Sequence, residues 1–391
     1  MLRREPFMNI LVDTLADGWS EQYNAPVAIY PGGDGAVEWR VQPLLNGIFV
    51  PEIDAVPRRF LRDSFTFTPV TWRMPAQYLL GRFLSSTVGL HLSSHFAFSS
   101  SCRLPDQESL LVMPGNRRIR VFNFKSGTCR VFLKSGFDSG TMLREIEIRG
   151  SSDGGPFPLL SAWHENGKWF EEPIIEGYAL VMCPPWIERH SIEHRAFEDL
   201  EKWCKITMKR VKVGEYLEPL LRGLHHDGTE IKRLYGPKDA LPPDTWFDVL
   251  CAQAIRFDYT ETSMTHGDFQ GGNILIDRRG SHIFLIDWEY CGRRFIHYDR
   301  FVYGLGSRSP RGLSGRVRRF LNFEASPWPL AILPKDRSWR RWALALFLLE
   351  DLAWYMRESV TGPFTNVSEG LQIYIAELNL LGPSLHALFD E

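Results

Sequence analysis

Residues 265–290 read THGDFQGGNILIDRRGSHIFLIDWEY, a polar loop followed by two short apolar runs. Ile274-Leu275-Ile276 is the first run and Ile283-Phe284-Leu285-Ile286 the second, and both consist of residues that suit strands. Asp277-Arg278-Arg279-Gly280-Ser281 punctuates them as a turn. If the two runs pair antiparallel, Asn273 enters the hairpin at the end where Asp287 leaves it, and Asp268 precedes Asn273 in the loop. A carboxylate, an amide and a second carboxylate around one point suit a hard cation such as Mg²⁺. Two of the three would hold the ion, leaving one for an acceptor group.

The spacing His266-Gly267-Asp268, then Asn273, then Asp287 within Ile286-Asp287-Trp288-Glu289 resembles the aminoglycoside phosphotransferase and choline kinase superfamily. The resemblance implies an α+β, two-lobed protein-kinase-like fold, with a small antiparallel-sheet N-lobe and a mainly helical C-lobe. It also implies ATP and Mg²⁺ as cofactors. Asp268 would be the catalytic base, Asn273 and Asp287 the metal ligands, and His266 a structural residue. Asp299, in His297-Tyr298-Asp299, resembles the family's brace of the catalytic loop.

With 391 residues, 44% of them hydrophobic and 24% charged, the chain has the composition of a globular protein of two or three compact units. A formal net charge of -2 gives no overall electrostatic footprint for nucleic acid. Six cysteines without a C-x-x-C pair argue against a disulfide framework or a zinc site and fit a reducing cytoplasm. No signal-peptide core or apolar run long enough to span a bilayer is visible.

Residues 1–105 match no motif and are expected to form an N-terminal extension packed on the small lobe. Strand-like pieces at 37–41 and 65–72 alternate with helix-like pieces at 56–63 and 76–85. The small lobe is expected over 106–177, with strands at 109–113, 119–125 and 128–134. Gly115 lies in the first connection, which in this fold covers the nucleotide phosphates, although the G-x-G-x-x-G pattern is missing. The resemblance points to Lys134 as the strand lysine that holds the phosphates and to Glu145, on a helix over 140–149, as its partner. Glu147 is the competitor, but it lies ~200° around the helix from Glu145. Strand-like residues at 158–163 and 168–175 lead to a hinge in which main-chain groups from Glu172 to Ile174 would read the adenine. Pro173 has no N–H and can offer only its carbonyl.

The large lobe is expected over 178–391, with helices at 196–211, 217–225, 243–257 and 338–360. His225-His226-Asp227 reads as hydrogen-bonded loop residues in preference to a metal set. Residues 291–320 hold eight arginines against the single acid Asp299. This segment reads as solvated charge, with attraction of an anionic acceptor as the functional alternative. Glu350, Asp351, Trp354 and Tyr355 share a helical stretch and read as core, or as an acceptor pocket able to cage a quaternary amine.

The expected activity is ATP- and Mg²⁺-dependent phosphorylation of a small-molecule hydroxyl, with a sugar or glycan precursor as acceptor. The alternatives are an amino-alcohol or aminoglycoside kinase and, in a different class, a nucleotide-binding pseudokinase scaffold.

Overall fold

The computed structural model describes residues 7–66, 71–151, 154–183, 187–236, 245–278, 280–324, 328–363 and 367–390. The first part of the chain forms α1 (Phe7–Tyr23), β1 (Ile29–Tyr30), β2 (Val37–Gln42), β3 (Gly47–Phe49), α2 (Ala55–Thr66), α3 (Met74–Leu84), α4 (Thr87–Ser93) and β4 (His95–Ser100). Next come β5 (Leu110–Pro114), β6 (Arg118–Asn123), β7 (Thr128–Leu133), α5 (Gly140–Ser151), β8 (Ala162–Trp163), β9 (Trp169–Pro173), β10 (Gly177–Ala179) and α6 (Arg189–Thr207). The remainder forms β11 (Lys209–Lys212), α7 (Val213–Tyr235), α8 (Thr245–Ala254), β12 (Tyr259–Thr265), β13 (Ile274–Asp277), β14 (Ile283–Leu285), β15 (Gly292–Phe295), α9 (Tyr298–Leu305), α10 (Leu313–Leu321), α11 (Arg337–Val360) and α12 (Glu369–Asp390). This is the expected α+β class. Two compact units divide the chain, one of residues 1–199 with 271–289 and the other of 200–270 with 290–391.

The first unit is built on a nine-stranded antiparallel sheet in the order β1-β4-β2-β3-β5-β6-β7-β9-β8. The strands of residues 1–105 thus extend the sheet that β5, β6 and β7 begin. Strand periodicity sorts the side chains by face. Ile119, Val121 and Phe132 turn toward α1 and join Leu11, Leu15, Trp19, Trp39 and Phe98 in one core. Cys129, Val131 and Phe170 turn the other way, onto Met142 and Ile146 of α5. Gly18 lets α1 approach closely, since a Cβ there would stand 2.5 Å from the Phe132 ring. The turn between β6 and β7 is tight because Gly127 takes φ +73° and its N–H returns to the Asn123 carbonyl at 2.9 Å.

Some expected boundaries shift. Residues 65–72 are not a strand where described: α2 runs to Thr66, and residues 71–73 form a single 3-10 turn. The part at 67–70 lies outside the described residues. Lys209–Lys212 is a strand paired with β12, not the end of a helix. The apolar positions 10, 11, 15 and 19 form one stripe of α1, a helix not expected from the sequence.

In the second unit β11, β12 and β15 form a small sheet, and helices α7 to α12 supply most of the core. Helix α11 is buried almost all round from Arg340 to Leu352, and Asp336 caps its start by accepting the Trp339 N–H at 2.6 Å. Among the described residues no helix is long and apolar enough to cross a membrane.

Candidate active site

The hairpin at 274–285 forms with Ile274 opposite Leu285 and Ile276 opposite Ile283. The Ile286 N–H also donates to the Asn273 carbonyl at 3.0 Å, which brings Asn273 and Asp287 to the same end. Both line a cleft of about 500 Å³ within the first unit, alongside Arg118, Arg120, Glu145 and Glu289. Asp287 adopts φ +68°, a left-handed conformation uncommon for a residue with a side chain, though Asp and Asn adopt it more readily than most. Mg²⁺ is usually held by one or two carboxylates together with phosphate oxygens and water. Asn273 and Asp287 fit that pattern as oxygen donors. Among the described residues no three His, Cys, Asp or Glu side chains form a metal-holding group.

Gly115, Glu172 and Ile174 also line the cleft. The Ile174 N–H donates to the Gly127 carbonyl at 2.9 Å. Glu172 is likewise engaged, accepting from Arg149. Gly177 follows at the start of β10, where a Cβ would sit 2.1 Å from the Ile276 carbonyl oxygen, so the pairing with β13 requires glycine.

The expected pair of Lys134 with Glu145 does not form. Lys134 follows β7 on the face turned toward α1, where its Nζ donates to the Asn116 carbonyl at 3.0 Å and lies 5.3 Å from the Phe7 ring. Glu145 points the other way and is fully buried, whereas Glu147 is exposed. The Glu145 carboxylate is met by Arg118 Nη1 at 2.5 Å and Arg149 Nη1 at 2.8 Å. Burial works to raise the Glu145 pKa, but the two guanidiniums outweigh it and hold the carboxyl below its ordinary value. One residue pair along the same face, Arg120 donates to Asp287 Oδ1 at 2.8 Å. Arg118 and Arg120 went unrecognised in the sequence, yet their spacing of two in a strand already set them on one face.

In the second unit the loop after β12 carries Asp268. The N–H groups of His266 and Gly267 donate to the two oxygens of Asp299, at 2.7 and 2.9 Å, so Asp299 braces the loop. Burial raises the Asp299 pKa, and His266 with the two amides only partly offsets it. His266 is buried and accepts the Asp268 N–H at 3.3 Å. Gly267 has φ +83°, and a Cβ there would meet the Tyr290 carbonyl oxygen at 2.1 Å. Asp268 Oδ1 accepts from Arg308 Nε at 2.8 Å and Oδ2 from Gln270 at 3.0 Å.

Arg308 is the residue of this region whose role had no sequence signal. Its Nη1 reaches Asp351 at 2.6 Å, and its Nη2 reaches the Gly267 carbonyl at 2.7 Å and the Tyr298 hydroxyl at 3.0 Å. The guanidinium also lies 3.7 Å from the Trp354 ring centre. The aromatic cage considered for a quaternary amine therefore already holds a cation. Most other arginines of 291–320 bind backbone carbonyls: Arg294 that of Tyr290, Arg316 those of Leu305 and Ser309, and Arg318 that of Leu380. These contacts make most of the segment's arginines structural, where solvated charge had been expected. His225 and His226 lie on helix α7 and not in a loop, with Asp227 paired to Arg357 at 3.0 Å.

Glu350 is buried beneath this cluster and accepts the Phe295 N–H at 2.9 Å. Burial raises its pKa well above its ordinary value, and the Phe295 N–H only partly offsets this. A raised pKa of this kind contributes stability below the unfolded value of ~4.3, and that contribution is lost as pH rises toward the folded value. Glu350→Gln keeps the acceptor oxygen and removes the titration. We expect its melting temperature to exceed the wild type's at neutral pH, with the difference shrinking toward pH 4. A constant difference across that range would rule out the titration of Glu350 as its source.

Residues 199–327, the segment that carries Asp268, Asn273 and Asp287, match the model of a phosphotransferase enzyme family. The chain is a small-molecule kinase, a phosphotransferase with an alcohol group as acceptor. No curated protein matches the chain in sequence. Among solved structures it is similar to an ethanolamine kinase of Plasmodium vivax, at 12% identity and TM-score 0.43, covering 85% of this chain and 96% of that one. A choline/ethanolamine kinase family protein of Mesorhizobium loti is similar at 14% identity and TM-score 0.40, covering 72% and 88%. An aminoglycoside phosphotransferase of Streptomyces rimosus, solved with ADP and streptomycin, is similar at 16% identity and TM-score 0.37, covering 62% and 92%.

Proposed function

We propose that the chain transfers the γ-phosphoryl group of ATP, with Mg²⁺, to a hydroxyl of a sugar or glycan precursor. The observation that carries the reading is the convergence of Asn273 and Asp287 at one end of the hairpin, inside a cleft large enough for a nucleotide. Phosphoryl transfer asks the protein mainly to position reactants and neutralise charge. Asn273 and Asp287 would hold Mg²⁺ against the phosphates, and Asp268 would accept the proton of the acceptor hydroxyl. The setting we propose is cytoplasmic, which the six free cysteines support.

The acceptor is narrowed by charge. A cationic amine would need the acids and aromatics of α11, but Arg308 neutralises Asp351 and covers Trp354. Burial disfavours the charged form of Glu350. A neutral or acidic acceptor meets no such competition. The test is a mass-shift screen for phosphate gain with Mg²⁺ and ATP across sugars, amino alcohols and aminoglycosides. Phosphate gain confined to sugars supports the proposal, and gain confined to the amines overturns the acceptor assignment.

A further inference from the structure

Strand β7 brings no cation to the cleft. Its residues on that face are Cys129, Val131 and Leu133, and the register sets them opposite Phe122, Arg120 and Arg118 of β6. The guanidinium that reaches the helix carboxylate Glu145 therefore comes from the neighbouring strand. Arg149 is the other cation on Glu145, but it is fully engaged: Nη1 holds Glu145, while Nε and Nη2 bind the Pro158 carbonyl and Nη2 also meets Glu172. Arg118 is different. Its side chain is 3% exposed, only Nη1 makes a hydrogen bond, and buried Nε and Nη2 have no hydrogen-bond partner. The nearest further anion is Glu289, whose carboxylate stands 3.3 Å from Nε.

A buried guanidinium with orphaned donors is costly unless an anion completes its shell. Arg118 lines the same cleft as Asn273 and Asp287, and a planar guanidinium matches phosphate oxygens well. We infer that Arg118, oriented by Glu145, binds the α- and β-phosphate oxygens of the nucleotide, the task the sequence had assigned to Lys134. The inference rests on the proposed nucleotide-dependent function. It assigns Lys134 to the packing of α1 against the sheet.

Titration calorimetry with Mg·ADP and with adenosine tests this on the full chain. Arg118→Met should weaken Mg·ADP by ~10- to 100-fold, the loss expected for charge-assisted hydrogen bonds. Adenosine, which lacks phosphates, should bind within twofold of wild type, which also shows that the cleft is folded. Lys134→Met should leave Mg·ADP affinity unchanged. The charge-balanced pair Arg118→Gln with Glu145→Gln guards against misfolding and should show the same selective loss of Mg·ADP. Equal Mg·ADP affinity in wild type and in this folded pair overturns the inference alone. A wild type that binds neither Mg·ADP nor Mg·ATP overturns the proposed function itself, and the inference with it.

Discussion

Asp268→Ala lowers the rate of phosphoryl transfer by ~10²–10⁴-fold, the usual effect of removing a positioned base. Mg·ATP affinity should stay within twofold of wild type, because the cleft with Asn273 and Asp287 is lined by other residues. The loss should fall on kcat, since the Asp268 oxygens receive hydrogen bonds from Arg308 and Gln270 within the loop's own unit. Single-turnover transfer with ATP and the acceptor found by the mass-shift screen is the measurement. An alanine variant as fast as wild type removes Asp268 from the chemistry. The same experiment separates an enzyme from a pseudokinase scaffold, which would bind nucleotide and show no transfer that depends on Asp268.

The second large effect is on stability. Arg308→Met should cost ~3–5 kcal/mol, because it strips the partner from buried charges. The Asp351 side chain is fully buried, and those of Arg308 and Asp268 are 8% and 13% exposed, so solvent screens these pairs little. Burial works to lower the Arg308 pKa, but Tyr298 and the carboxylates of Asp351 and Asp268 reverse that and raise it, so the cation is fixed at every pH the fold survives. Adding Asp351→Asn to Arg308→Met should recover part of the loss by removing one uncompensated charge. Urea unfolding of the single and double variants decides this. If Arg308→Met unfolds at the wild-type midpoint, the network contributes nothing to the fold.

The family resemblance was legible because the residues that carry it lie close together in sequence. The hairpin needed only two runs of strand formers and a turn, and local pairing then brought Asn273 and Asp287 to one end. Helix periodicity allowed only one of Glu145 and Glu147 to face the sheet, the Arg144-Glu145-Ile146 context favoured Glu145, and Glu145 is the buried one. Lys134 does not meet Glu145 for an equally physical reason. Its place just after the strand and before the helix was right, but a shift of one residue in a strand reverses the face. Which face held the cleft depended on where α1 and α5 packed.

What the sequence by itself determined is the local machinery: the loop with Asp268, the hairpin with its oxygen donors, and the helix carrying Glu145. These follow from short-range periodicity and turn chemistry, which each segment carries within itself. Only the tertiary structure decided which cations serve those carboxylates. Arg118 meets Glu145 across 27 positions, Arg120 meets Asp287 across 167, and Arg308 meets Asp268 across 40. A guanidinium on a long flexible side chain carries no periodic signature of its partner. The pairing is set by sheet register and helix packing, through the high cost of leaving a buried charge alone.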